Sequence, residues 1–288
     1  MVTFGLVHGA YHGSWCWEAL TPELEKRGHQ VLAVDLPSED PRAGAAEYAA
    51  AALKAFAGAG DDLVVMGHSL GGLTIPLIAA ARPVRRLVFL AGMLPRPGQT
   101  QDEVLNAEPD MVFAGPEGGA YRGPSGDTRW RPEAAARWFF ADCPADVATS
   151  AASRLRGQCW KITREVTPLA ARPVVPCSYV LGTRDPVINP AWSRRTAPAV
   201  LGVKAIEISG GHSPFLAQPS VLAQLLDRLT VGLPAGGRPG LCGMVCSRGL
   251  TALVRQSDHI PVPAVLLFVS SCRTWCLYPR NMRRGCPR

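Results

Sequence analysis

From residue 2 to residue 91, short apolar runs alternate with amphipathic stretches in the order expected of repeated β-α units. The runs at 2–7, 30–35, 62–67 and 84–91 predict strands of a mostly parallel sheet, and Leu63-Val64-Val65-Met66 reads as a buried one. Between them, 15–27 sets Trp17, Leu20 and Leu24 on one helical face, 44–58 sets Tyr48, Leu53 and Phe56 at helical spacing, and 70–82 reads as a third helix. The pattern breaks after Pro95. Residues 95–130 are rich in Gly, Pro and charge, and 132–160 look helical; the alternation then resumes with a strand at 174–181, a helix at 190–198, a strand at 203–208 and a helix at 219–230. The predicted fold class is α/β: a mostly parallel sheet flanked by helices, with a cap inserted at about 95–171.

One strand ends in unusual chemistry. Leu63-Val64-Val65-Met66 runs into Gly67-His68-Ser69-Leu70-Gly71, and an apolar helical pattern follows at once. A serine at the apex of a strand-turn-helix has an exposed hydroxyl, and the turn needs small residues on either side because the strand and helix crowd it. A plain Gly-Ser loop between two core elements is the bland alternative. The strand-turn-helix setting favours Ser69 as a nucleophile.

A serine hydroxyl is a weak nucleophile at neutral pH, so this reading requires a histidine to take its proton and a carboxylate to orient that histidine. Both types occur downstream at strand ends. The run 174–181 leads into Gly182-Thr183-Arg184-Asp185-Pro186, and the run 203–208 leads into Ser209-Gly210-Gly211-His212-Ser213. Taken singly, Asp185 reads as a turn former and His212 as a solvated loop residue. Taken together they obey one rule, that doubly wound sheets gather their chemistry at the carboxyl ends of their strands. Asp35 precedes Ser69, the wrong side for this chain order, and Asp227 falls inside the terminal helix. An oxyanion formed at Ser69 needs two backbone N–H donors; one is Leu70, just after the nucleophile, and the other is expected in the small-residue loop His8-Gly9-Ala10-Tyr11-His12-Gly13. His8 and His12 stand four apart, a spacing that holds metal from a helix, but this stretch contains two glycines and has no carboxylate cluster beside it. No metal and no cofactor is expected.

The segments Leu6-Val7-His8-Gly9-Ala10-Tyr11-His12-Gly13-Ser14-Trp15-Cys16-Trp17, Gly67-His68-Ser69-Leu70-Gly71-Gly72, Gly182-Thr183-Arg184-Asp185 and Gly211-His212 resemble the α/β-hydrolase superfamily. More closely they resemble its compact branch of plant methyl-ester esterases, hydroxynitrile lyases and bacterial esterase-like proteins, over about residues 2–230 and loosely between 95 and 170. The resemblance implies Ser69, Asp185 and His212 as nucleophile, acid and base, with the N–H groups of Ala10 and Leu70 as the oxyanion hole. Lyases of the branch carry a threonine after the first His of the early loop and a lysine after the catalytic His; here those positions hold Gly9 and Ser213. Serine supplies no charge for a departing cyanide, so ester hydrolysis of a small-molecule substrate is the expected class. The rivals are a hydrolase-like ligand-binding protein with little turnover, and carbon-carbon bond cleavage by the same triad.

Composition adds three constraints. Trp130, Trp138, Phe139 and Trp160 concentrate aromatic surface in the cap, where they either line a substrate pocket or pack the cap onto the core. The opening Met1-Val2-Thr3-Phe4 enters a strand without a basic segment or cleavage site, and no apolar stretch is long enough to span a bilayer, so a cytoplasmic protein is expected. Of the net charge of +7, all resides in residues 233–288, which contain eight Arg and no Lys against the single acid Asp258. Residues 1–232 are therefore a neutral hydrolase domain, and a basic pI carried wholly by the extension gives no reason to expect nucleic-acid binding. The extension also holds Cys242, Cys246, Cys272, Cys276 and Cys286 around His259, but the three-residue gaps fit zinc poorly. It is expected to be a poorly ordered extension.

Overall fold

The computed structural model describes residues 1–231, so the expectations for the Arg- and Cys-rich extension lie outside the described residues. Eight strands form among the described residues: β1 (Thr3–Val7), β2 (Gln30–Val34), β3 (Leu63–His68), β4 (Arg86–Leu90), β5 (Ala120–Arg122), β6 (Thr128–Trp130), β7 (Cys177–Gly182) and β8 (Ile206–Ile208). Six of them make one sheet in the order β2-β1-β3-β4-β7-β8, with every pairing parallel. β5 and β6 form a separate antiparallel hairpin. The helices are α1 (Thr21–Glu25), α2 (Ala45–Ala55), α3 (Ile75–Ala81), α4 (Gln101–Ala107), α5 (Pro132–Phe139), α6 (Ala145–Ser153), α7 (Lys161–Arg164), α8 (Pro190–Thr196), α9 (Pro214–Ala217) and α10 (Pro219–Thr230).

The unbroken apolar runs have a direct physical use, because the inner strands β1, β3, β4 and β7 each feed two cores. On β3, Leu63 and Val65 face a layer containing Tyr48 and Phe56 from the α2 segment, Ile75 and Ile78 of α3, and Trp192 of α8. Val64 and Met66 face the opposite layer, with Trp17, Leu20 and Leu24 on one side of the chain and Leu222, Leu225 and Leu226 of α10 on the other. Each large aliphatic side chain contributes roughly 1.5–3 kcal/mol on burial, so a polar residue anywhere in this run would cost one layer or the other.

Several predicted boundaries change, and proline accounts for most of the changes. The helix expected at 15–27 is a 3-10 turn, Ser14–Trp17, followed by the short α1, which has Pro22 in its first turn and gives way to Gly28 at φ 80°. The helix expected at 70–82 is likewise a 3-10 turn, Ser69–Leu73, and then α3, with Pro76 in its first turn. Pro has no N–H to continue an existing helix but is well placed to start a new one. β7 starts only at Cys177, directly after Pro176, and β8 is three residues long rather than six. The stretch 95–130 is not structureless. It contains α4, opened by a capping box in which Thr100 Oγ1 accepts the Glu103 N–H at 3.1 Å and Glu103 Oε2 accepts the Thr100 N–H at 2.8 Å.

The segment between β4 and β7 lies against the same core: Phe139, Phe140 and Ala148 belong to the cluster that also contains Val65 and Phe89. Ion pairs tie its edge to the sheet loops, including Arg154 to both carboxylate oxygens of Glu18 at 2.6 and 2.7 Å and Arg156 to Glu39 at 3.3 Å. The Arg156 N–H also donates to the Tyr11 carbonyl at 2.6 Å, and the Cys159 N–H to that of Ser38 at 2.7 Å.

Candidate active site

β3 lies between β1 and β4, so the turn after it emerges at the middle of the carboxyl edge of the sheet. Ser69 occupies that turn at φ 50°, in the left-handed region that residues with a side chain rarely adopt. Glycine is required on both sides. A Cβ at Gly67 would stand 2.7 Å from the Gly71 carbonyl oxygen, and one at Gly71 would stand 2.6 Å from that of His8. The carbonyl of Ser69 accepts the Met93 N–H at 2.9 Å, which ties the turn to the loop after β4.

Asp185 and His212 meet beyond β4, on the loops that follow β7 and β8. Asp185 Oδ2 accepts the His212 Nδ1–H at 2.8 Å, with the two side chains only 1% and 2% exposed. The other carboxylate oxygen accepts the N–H groups of Val187 at 2.8 Å and Ile188 at 3.0 Å, so the loop after β7 holds the carboxylate in one orientation. The loop carrying His212 is held from both sides. Thr183 and Arg184 donate their N–H groups to the carbonyls of Ile208 and Gly210, and the Gly211 N–H reaches Asp142 Oδ2, in the segment between β4 and β7, at 2.6 Å. His68, beside Ser69, donates Nε2–H to the His212 carbonyl at 3.0 Å, and the two rings lie 4.5 Å apart. The Ser69 turn and the histidine loop are thus adjacent.

The loop after β1 closes against Ser69. A Cβ at Gly9 would stand 2.9 Å from the Ser69 Cβ, so only a bare backbone fits. Both imidazoles of this loop hold backbone: His8 Nδ1 bonds the Gly9 carbonyl at 2.8 Å and His12 Nδ1 bonds the Ala10 carbonyl at 2.7 Å. His8 Nε2 accepts the Leu36 N–H at 3.0 Å. Burial lowers the pKa of His8 to about 4 and of His12 to about 3, and drives that of His68 well below the ordinary imidazole value. Among the described residues no group of three or more His, Cys, Asp or Glu side chains is placed to hold a metal ion.

The family model for the alpha/beta hydrolase family matches residues 6–225, from β1 through the Ser69 turn and the His212 loop into α10. This chain belongs to the α/β hydrolase family. Among its relatives, a pyrethroid hydrolase of Sphingobium wenxiniae is 29% identical over 241 residues, 77% of this chain and 85% of that protein. An alpha-hydroxynitrile lyase of Arabidopsis thaliana is 36% identical over 119 residues, 38% of this chain and 46% of the lyase. The solved structure of polyneuridine aldehyde esterase superposes with a TM-score of 0.67 at 24% identity, covering 80% of this chain and 99% of the esterase. That of a pyrethroid hydrolase from Sphingobium faniae gives 0.67 at 23%, covering 80% and 97%. The α/β-hydrolase fold expected from the motifs is the fold observed.

In this α/β hydrolase the cap aromatics divide. Trp130, Phe139 and Trp160 surround the Tyr11 ring at centroid distances of 6.2, 5.8 and 5.8 Å, and Phe139 lies 6.3 Å from His212. Trp138 is half-buried against the core and makes no ring contact with this group. The centre of the cluster is a residue the sequence reading did not single out. Tyr11 follows Ala10 at φ 66°, its carbonyl is bonded by Arg156, and its N–H reaches Gln158 Oε1 at 3.4 Å. A bulky aromatic among small loop residues was the available signal. Asp142 was also missed, because an acid after an aromatic helix end has no pattern of its own.

Proposed function

We propose that this α/β hydrolase is a serine hydrolase that cleaves small-molecule carboxylic esters through an acyl-enzyme on Ser69. The observation that carries this reading is the buried 2.8 Å bond between His212 Nδ1 and Asp185 Oδ2, in a loop adjoining a serine held at φ 50°. In the proposed cycle, Ser69 Oγ attacks the ester carbonyl while His212 Nε2 takes its proton, and Asp185 keeps the imidazole proton on Nδ1. The N–H groups of Ala10 and Leu70 stabilise the tetrahedral oxyanion. Its collapse expels the alcohol, which receives the proton from His212. A water deprotonated by His212 then attacks the acyl carbon, releases the acid and restores Ser69. The pyrethroid hydrolase relative supports this class.

The lyase relative makes cyanohydrin cleavage the specific rival. The residue after His8 is Gly9, and the residue after His212 is the buried, uncharged Ser213. Neither provides a cation for a leaving cyanide, which favours hydrolysis. A cytoplasmic location belongs to the same proposal. It is supported by four cysteines, Cys16, Cys143, Cys159 and Cys177, that are unpaired among the described residues, and by the lack of any described helix long and apolar enough to cross a membrane.

The test is covalent labelling by a fluorophosphonate together with hydrolysis of short p-nitrophenyl esters. Wild type is expected to label and turn over, and Ser69→Ala to do neither while unfolding at nearly the same temperature. Retained turnover in Ser69→Ala, or cyanide release from cyanohydrins at a rate comparable to esterolysis, would overturn the assignment.

A further inference from the structure

The two imidazoles of the β1 loop are unexplained by the proposed cycle, and one of them touches the oxyanion donor's own peptide unit. The Leu36 N–H donates to His8 Nε2 at 3.0 Å, so that nitrogen bears the lone pair and the ring proton is on Nδ1. Nδ1–H then donates to the Gly9 carbonyl at 2.8 Å. The Gly9 C=O and the Ala10 N–H are opposite poles of one peptide plane, which is trans, as are all the described peptide bonds. Holding the carbonyl end therefore aims the N–H end the other way. This unit lies against Ser69, where even a Cβ on Gly9 would not fit. Among the described residues the Ala10 N–H donates to no protein acceptor.

The geometry points to His8 as a positioning residue for the oxyanion donor: a relay from the Leu36 N–H through the imidazole to the Gly9 carbonyl orients and polarises the Ala10 N–H. The inference rests on the serine-hydrolase reading above. Hydrogen bonds in such a chain strengthen one another, so the donation into the Gly9 carbonyl makes the Ala10 N–H a better donor as well as a better-aimed one. A donor fixed before the reaction needs no reorganisation when the oxyanion forms. Burial keeps the ring neutral with its pKa near 4, so the relay stays in the one tautomer that the two bonds define. His12 makes the equivalent bond one peptide further on, to the Ala10 carbonyl, and so holds the unit that leads into Tyr11.

Three variants separate positioning from structural support. In His8→Asn the amide nitrogen stands where Nδ1 stood and can donate to the Gly9 carbonyl. In His8→Gln the amide oxygen stands where Nε2 stood, accepts the Leu36 N–H and leaves the Gly9 carbonyl only the long bond from the His12 N–H, at 3.4 Å. His8→Leu removes both bonds. For p-nitrophenyl ester hydrolysis by the full chain, His8→Gln and His8→Leu are expected to lose about 10²-fold in kcat with KM held within about twofold. Affinity for a trifluoromethyl ketone, whose oxygen occupies the oxyanion position, falls in parallel. His8→Asn is expected to remain within about tenfold of wild type. A purely structural role would instead lower the melting temperature of the Asn and Gln variants alike and leave the kcat of the folded fraction intact. That result overturns the inference, as does a folded His8→Asn no faster than His8→Gln.

Should His8→Leu fail to fold, the Asn and Gln contrast still decides, and ¹⁵N spectra of the wild-type imidazoles give an independent check. The Nδ1–H tautomer is expected for His8, and the Nε2–H tautomer would overturn the relay. If Ser69→Ala is inactive while His8→Gln turns over at the wild-type rate, this inference alone fails. If Ser69→Ala is active, the serine-hydrolase reading fails and the inference with it.

Discussion

Among the described residues two buried histidines bond a carboxylate, and they lie at opposite ends of the same sheet. At the carboxyl edge, His212 Nδ1 and Asp185 Oδ2 are 2.8 Å apart with both side chains almost fully buried. At the amino edge, His29 Nε2 and Asp227 Oδ1 are 3.1 Å apart, but Asp227 is 42% exposed. The remaining nitrogen of His29 is also occupied, since its Nδ1 accepts the Val2 N–H at 3.3 Å. That pair pins α10 to the start of β1 and β2. A His–Asp contact is thus not chemistry in itself. Its meaning comes from the end of the strands it occupies and from what stands beside the other imidazole nitrogen.

The strongest way to break the comparison is to neutralise each acid in turn. Asp185→Asn is expected to lower kcat for ester hydrolysis on the order of 10⁴-fold by favouring the wrong imidazole tautomer, while Asp227→Asn leaves kcat at the wild-type level. A mild effect at 185 would sink the acid assignment. Asp142→Ala should come next. It leaves the Gly211 N–H without its cap acceptor and loosens the loop that carries His212, and a loss of about tenfold in kcat is expected from that misplacement. Steady-state kinetics at saturating substrate checks it, and an unchanged kcat would mean the loop is held without the cap.

Acid should weaken the fold through the buried imidazoles of the β1 loop. In the unfolded chain His8 and His12 take up protons near the ordinary value of 6.5, but folded they stay neutral down to about pH 4 and about pH 3. Below pH 6.5 the unfolded state therefore binds more protons, so the stability present above 6.5 is lost progressively as the pH falls towards 4. Urea midpoints measured between pH 7 and 4.5 should fall, and His12→Asn should flatten that fall. An identical pH slope in the variant would remove His12 from the account.

The smallest effects belong to the amino edge and the extension. Because Asp227 is partly open to solvent, Asp227→Asn should cost no more than about 1 kcal/mol of stability, read as a small shift in melting temperature. Truncation after Gly232 should leave kcat unchanged while removing the whole net charge of +7, because every residue named in the proposed cycle precedes 213. Loss of activity on truncation would show that the extension contributes to the site.

Some of this was open to sequence reasoning because local physics demanded it. A strand buried on both faces must be apolar throughout, so β1, β3, β4 and β7 are visible as runs, and a serine on a crowded strand-turn-helix must have glycine at 67 and 71. The order of Ser69, Asp185 and His212, each just past a strand, likewise follows from chain connectivity in a parallel sheet. Helix lengths were less legible. Pro22 and Pro76 divide segments whose apolar period continues across them, and a period does not register a missing N–H. What only the tertiary structure decided are contacts between segments far apart in the chain: Asp142 on the Gly211 N–H, Gln158 and Arg156 on Tyr11, and Leu36 on His8. A polar side chain chooses its partner by direction and distance in the folded core. A sequence records which residues must be buried or must turn, but the geometry that joins buried polar groups exists only once the layers have packed.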